Sequence, residues 1–267
     1  MPPVILCGLG FTTRRLARRF LCRGLRTFAA VRNPARFADL QAAGLQLSDF
    51  PKKAVVVHTI PPLPEPESGA LREFIRGLDP SRVVYISTTG VYGAQSEVDE
   101  STAARPSDEK GALRIEEETW LARGDWETLI VRAAAIYGPG RGVHVRVRDG
   151  RLPRTEPGGI TSRIHADDLA AVLEAGALAD LTGAWPIADD RPCPTAEVAE
   201  WCGKLLGKKL APPWSNETLV TGRRVDGRKI RELLGVALAY PDYPSGILAS
   251  LAEEEAVRRR AKPRPAN

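Results

Sequence analysis

The 267-residue sequence holds no uninterrupted run of the roughly 18 apolar residues that a bilayer-spanning helix needs, which excludes a membrane span. It also has no basic segment ahead of its first apolar run. "MPPVILCGLG" enters that run at once, which argues against a secretory leader and for the first strand of the fold as the expectation. Metal-ligand spacing is missing too: three histidines are scattered, and Cys7, Cys22, Cys193 and Cys202 form no C-x-x-C pair. The expectation is reduced thiols in a cytoplasmic protein with no structural metal, Cys7 on an apolar strand and Cys22 on a helix as small hydrophobes. No internal repeat or low-complexity segment is present.

At 43% hydrophobic and 27% charged, the chain is that of an ordinary globular protein, long enough for one large domain or one domain with a small second lobe. The formal net charge of +5 invites a nucleic-acid reading. However, the tail "RRRAKPRPAN" supplies Arg258, Arg259, Arg260, Lys262 and Arg264, five positive charges, so the body is close to neutral. The tail reads as a frayed, solvated terminus, and neither nucleic acid nor membrane is an expected partner.

Short β-rich runs alternate with helical patterns. Strands are expected at "VILCGL" (4–9), "RTFAAVR" (26–32), near "LQLSDF" (45–50), at "AVVVHTI" (54–60), "RVVYIST" (82–88) and "ETLIVRAAAIYG" (127–138). Helices fit "TRRLARRFLCRG", a short stretch around 34–43, "SGALREFIRGL" and "LRIEEETWLARG". Strands separated by helices of this length require right-handed crossovers and a mostly parallel sheet. The fold class is therefore α/β, a doubly wound parallel (Rossmann) sheet. Residues 1–140 form the dinucleotide-binding domain. Residues 141–267 form a small C-terminal substrate-side lobe, with about 163–190 returning to the first domain.

Directly after the first strand, "GLGFTT" presents Gly8-x-Gly10-x-x-Thr13. In a dinucleotide fingerprint the first glycine permits the turn, the second admits the pyrophosphate to the backbone, and the third packs helix on strand. Thr13 stands at the third position; its hydroxyl can cap the helix or reach a phosphate. Phe11 and Thr12 complete the turn. The second strand ends in "VRN", 22 residues beyond Gly10 at Arg32. An NAD site has a carboxylate there for the ribose hydroxyls. Arg32 and Asn33 in its place favour NADP(H) over NAD(H), because a guanidinium binds a 2′-phosphate that a carboxylate would repel.

Four segments in order, "GLGFTT", "VVYISTTGVYG" (83–93), "VRAAAIYGPGR" (131–141) and "SRIHADDLA" (162–170), together resemble the short-chain dehydrogenase superfamily, in its NAD(P)-dependent epimerase/dehydratase branch. "RVDGRKIRELLGVALAYPDYPSGI" is similar to that branch's closing segment, and the short length and G-x-G spacing look like its atypical members. The resemblance implies that Thr88 polarises the substrate oxygen, flanked by Ser87 on the cofactor side and Thr89 on the substrate side. It also implies a Tyr-x-x-x-Lys pair on the next helix, the tyrosine as proton donor and the lysine on the nicotinamide ribose. Ile60 and Pro61, after the fourth strand, would approach the cofactor. Tyr92, Tyr137, Arg141 and His165 would border a small-molecule substrate, with a structural hydrogen bond as the alternative role of His165. A homodimer through sheet-flanking helices is implied as well.

The pair itself is absent. The residues four positions beyond Tyr85, Tyr92, Tyr137, Tyr240 and Tyr243 are Thr89, Ser96, Arg141, Pro244 and Ile247. In register, "KGALRIEEE" (110–118) sets Lys110 on the tyrosine and Arg114 on the lysine. Arg114 supplies the same charge and ribose-directed donors, with Glu118, four residues on, as its expected ion partner. Lys110 is the candidate acid or base in the tyrosine's place. Two functions follow from these residues. One is hydride transfer to or from a small polar or sugar-like substrate, and the other is a non-catalytic NADP(H)-binding sensor or regulator.

Overall fold

The computed structural model describes residues 1–34, 42–43, 46–151, 159–210 and 222–261. The chain runs β1 (Val4–Cys7), α1 (Phe11–Cys22), β2 (Thr27–Ala30), β3 (Ala42–Ala43), β4 (Val55–His58), α2 (Glu67–Gly77), β5 (Arg82–Thr88) and β6 (Glu97–Val98). It continues through α3 (Glu109–Ala122), β7 (Glu127–Ala133), β8 (Ala135–Tyr137), α4 (Val143–Arg148), β9 (Ile160–Thr161), β10 (Arg163–His165) and α5 (Ala166–Leu178). β11 (Gly183–Ile187), β12 (Cys193–Pro194), α6 (Thr195–Leu206), β13 (Arg224–Val225), α7 (Arg228–Leu234) and α8 (Tyr243–Ala261) complete it.

Seven parallel strands form the main sheet in the order β3-β2-β1-β4-β5-β7-β11. The fold is a doubly wound Rossmann sheet. β1 and β4 are buried at every position, as expected of strands covered on both faces. On one face α1 and α5 bring Leu16, Phe20, Leu169 and Leu173 against the sheet; on the other, Leu121 of α3 meets Ile5, Val56 and Tyr85. Tyr137, Val147, Val198, Cys202 and Ile247 gather α4, α6 and α8 into a separate smaller core. Between them the chain returns to the main sheet, with α5 packed on α1 and β11 paired to β7. The winding reverses between β1 and β4, so a crevice opens at their carboxyl ends, the usual ligand edge of such sheets.

Several expected elements differ. The described part of "LQLSDF", residues 46–50, is no strand: residues 47–49 form a single 3-10 turn, and the third strand is Ala42–Ala43. Most of the helix expected around 34–43 lies outside the described residues, and its last two positions are that strand. The run 127–138 breaks at Ala134, whose N–H bonds Ile187 O, and β8 leaves the main sheet to pair with β10. Arg258–Arg260 do not fray. They continue α8, where Arg258 and Arg259 pair at i,i+4 with Glu254 and Glu255; residues 262–267 lie outside the described part. Among the described residues no helix is long and apolar enough to cross a membrane.

Candidate active site

α1 starts at the crevice because Gly8, at φ +90°, turns the chain out of β1. A Cβ there would meet Ile60 Cγ1 at 3.1 Å, so the β1 and β4 turns touch. Gly10 is the N-cap of α1; a Cβ at Gly10 would meet nothing within 4 Å. The glycine N-cap offers α1 no side-chain cap, and no acidic residue sits in its first turn, which leaves its leading N–H groups without a side-chain partner at the cap. Thr13 does not serve them. Its hydroxyl donates to Thr59 Oγ1 at 3.0 Å, and Thr59 donates to Cys7 O at 3.2 Å, which stitches α1 to the ends of β1 and β4.

A cavity of about 530 Å³ joins this helix start to the end of β5. Gly10, Phe11, Thr12 and Thr13 form one wall, Ser87, Thr88, Thr89 and Arg114 another, and Ala133–Ile136 with Arg141 a third. Thr88 caps the 3-10 turn 89–92: its Oγ1 accepts from Gly90 N at 3.1 Å, which leaves its own O–H free to donate into the cavity. Arg114 Nη1 donates to Tyr85 OH at 2.7 Å and to Ile86 O at 3.2 Å, with its remaining donors available at the cavity wall. Arg223 fixes the turn from behind by donating to the carbonyls of Thr89, Gly93 and Gln95.

The face of α3 beneath the site is charged and buried. Asp108 caps the helix through Gly111 N at 2.7 Å. Glu118 does not pair with Arg114 as expected. It accepts from Ser87 Oγ at 2.5 Å and pairs with Arg132 of β7 at 2.7 Å, because α3 turns that carboxylate inward toward β7. Burial pushes the Glu117 carboxyl up, while contacts to His58 and Arg72 hold it below the usual range. Burial drives His58 down and neutral, so Arg72, 2.9 Å away, keeps Glu117 ionised. His58 stacks on Tyr85 with ring centroids 4.9 Å apart, and burial raises the Tyr85 phenol to about 12 despite Arg114.

Eight other expected site residues do not line the cavity. Lys110 is exposed in the first turn of α3, outside the cavity wall, because the helix begins only one residue earlier. Tyr92 is buried, and its hydroxyl accepts from Arg132 at 3.2 Å. Tyr137 donates to Asp242 O at 3.1 Å inside the smaller core, and burial raises its phenol. His165 is buried and caps α5, accepting from Asp167 N at 3.2 Å, with Nε2 on Ser250 Oγ; burial lowers it to about 4. That is the structural alternative for His165. Arg32 and Asn33 are exposed just beyond β2, and neither they nor Ile60 and Pro61 line the cavity. Thr59, Ile86 and Ala133–Ile136 do line it, and sequence reasoning had not named them. Their signal was position, since they sit at or just past the carboxyl ends of β4, β5 and β7. A larger cleft of about 1000 Å³ lies apart, between β6, β13 and α7, and holds none of the expected site residues.

No protein-family model matches the sequence. A protein of unknown function from Silicibacter pomeroyi has a solved structure that superposes with a TM-score of 0.80, at 31% identity over 96% of this chain and 100% of that one. The two chains belong to one family. Its fold is that of the NAD-dependent epimerases and dehydratases: a putative member from Methylobacillus flagellatus superposes at TM-score 0.75 with 23% identity over 95% of this chain and 99% of its own. A Thermus thermophilus UDP-glucose 4-epimerase, solved with NAD, gives 0.75 at 19% identity, over 95% of this chain and 99% of its own. At these identities the two epimerase-type structures establish the fold alone. The curated Streptomyces protein 3-diazoavenalumate denitrifying reductase is 30% identical over 149 residues, a match covering 49% of each chain. The match thus spans about half the length of that reductase.

Proposed function

We propose that the protein is a nicotinamide-dinucleotide oxidoreductase of the epimerase/dehydratase fold, with NADP(H) preferred over NAD(H). It acts on a carbonyl or alcohol carbon of a small polar, sugar-like substrate. One observation carries this reading: a single cavity joins the open start of α1 to Thr88 and Arg114 at the end of β5. The uncapped first turn and the free space at Gly10 suit a pyrophosphate, which helix N–H groups and the macrodipole favour. The bound dinucleotide would supply or accept the hydride. The Thr88 O–H would donate to the substrate oxygen, held in place by its bond from Gly90 N, and Arg114 would direct its free donors to the ribose. The relatives support a redox reading, since one is named a reductase and an epimerase of the same fold was solved with NAD. Cytoplasmic placement belongs to the same reading and rests on four free cysteines.

Arg32 carries the choice of cofactor. Titration by fluorescence is expected to show NADPH binding about tenfold or more tighter than NADH, in line with the strength of a charge-assisted guanidinium–phosphate contact. Arg32→Asp is expected to reverse the order. NADH preference in the wild type would remove the NADP assignment. The exposed position of Lys110 gives the sensor reading its own support. NADPH that binds stoichiometrically yet stays unoxidised across a panel of carbonyls and nucleotide sugars is the sensor's outcome; oxidation with any of them is the enzyme's.

A further inference from the structure

Arg141 lines the cavity from a strap, residues 138–142, that joins β8 to α4. Gly138 and Arg141 exchange two backbone hydrogen bonds of 2.9 Å, which close the strap into a tight turn. Gly140, at φ +75°, donates its N–H to Glu254 Oε1 of α8 at 2.7 Å. Glu254 in turn pairs with Arg148 and approaches His144 Nε2 at 3.3 Å, so the strap is anchored from the smaller core. A Cβ on Gly138 would lie 3.1 Å from Phe11 Cζ, so the strap approaches the first residue of α1.

Two guanidiniums flank that phenylalanine, Arg15 at 5.0 Å and Arg141 at 5.4 Å from the ring centroid. They differ in charge balance. Arg15 is neutralised by Asp167 at 2.7 Å and Glu253 at 3.1 Å. Arg141 is exposed, and among the described residues no carboxylate lies within ion-pair distance of it. A cation with no carboxylate partner among the described residues therefore shares the cavity with the uncapped start of a 12-residue helix. Both attract anions, the helix start with roughly half a unit of positive charge.

We propose that Arg141 clamps the diphosphate of the bound dinucleotide against the α1 N-terminus, rather than anchoring the substrate as its place in "IYGPGR" suggested. The inference rests on the reading that this cavity takes a nicotinamide dinucleotide. A guanidinium suits the role because its planar fork holds two phosphate oxygens at once. Contact with Phe11 puts the group beside the helix start, where a pyrophosphate would lie.

Direct binding measurements with NADPH, ADP-ribose and adenosine 2′-monophosphate test it, since the first two carry the diphosphate and the third lacks it. Arg141→Ala is expected to weaken NADPH and ADP-ribose tenfold or more and the monophosphate less than twofold, with Arg141→Lys recovering part of the loss. Circular dichroism melting checks that the variants stay folded. Dinucleotide affinities within twofold of wild type, or an equal loss for all three ligands, would overturn the assignment. Wild-type protein that binds neither NADPH nor ADP-ribose would overturn the cofactor reading itself, and the clamp with it.

Discussion

Glu118→Ala is expected to destabilise the protein by about 3–5 kcal/mol, the usual cost of breaking a buried ion pair from one side. Arg132 donates to Glu118 through Nη2 at 2.7 Å and through Nε at 3.2 Å to each carboxylate oxygen. The two side chains are 12% and 5% exposed, so water cannot replace the lost anion. Ser87 Oγ would lose its acceptor in the same step, one residue before Thr88. Glu118→Gln keeps a carbonyl oxygen for Ser87 but drops the charge, and its cost should fall between alanine and wild type. The double variant Glu118→Leu/Arg132→Leu removes both charges, and buried pairs replaced this way commonly recover stability. Urea denaturation checks the series. A lower midpoint at unchanged m-value is expected for Glu118→Ala, and a loss under about 1 kcal/mol, the scale of an exposed pair, would show that the pair is not what holds α3 to β7.

The same stretch of α3 marks how far the sequence could be read. "RVVYIST" coincides with β5, and "GLGFTT" opens α1 at the crevice, because an apolar run and a glycine turn are set by local residues. "EEE" is not legible in this way. Helical spacing places Glu117 and Glu118 three and four residues from Arg114, on the face that α3 buries. The partners that make such burial tolerable, Arg72 and Arg132, come from α2 and β7, and no local pattern announces them. Glu116, between Ile115 and Glu117, stays exposed at the rim with Arg72. The partners of the tyrosines are illegible for a related reason. A motif puts Tyr92 and Tyr137 near the substrate side, but their hydroxyls are already committed to Arg132 and Asp242 O. Asp168, in the first turn of α5, accepts from Ala239 N and Tyr240 N, and the helix start is capped by His165 instead.

Arg114→Ala is expected to weaken NADPH binding about tenfold and to lower kcat/KM for a turned-over substrate by about 10²–10³-fold, the range seen when one preorganised donor is removed from a reacting site. The guanidinium is oriented from below by two acceptors, Tyr85 OH and Ile86 O, which fixes where its other N–H groups point. Burial keeps the Tyr85 phenol neutral at physiological pH, so it accepts from Arg114 without competing for its charge. Arg114→Lys, which restores the residue type that the epimerase/dehydratase resemblance places there, keeps the cation but loses the planar fork. An ammonium cannot hold both acceptors and the ribose in the guanidinium's geometry, so the lysine variant should fall between alanine and wild type in both measurements. Tyr85→Phe separates orientation from charge. It removes one of the two bonds that aim Arg114 and should lower kcat more than it raises KM, with NADPH affinity changed less than in Arg114→Ala. If Arg114→Ala binds NADPH as tightly as wild type, the cation serves Tyr85 and the fold, and the ribose is held by other residues.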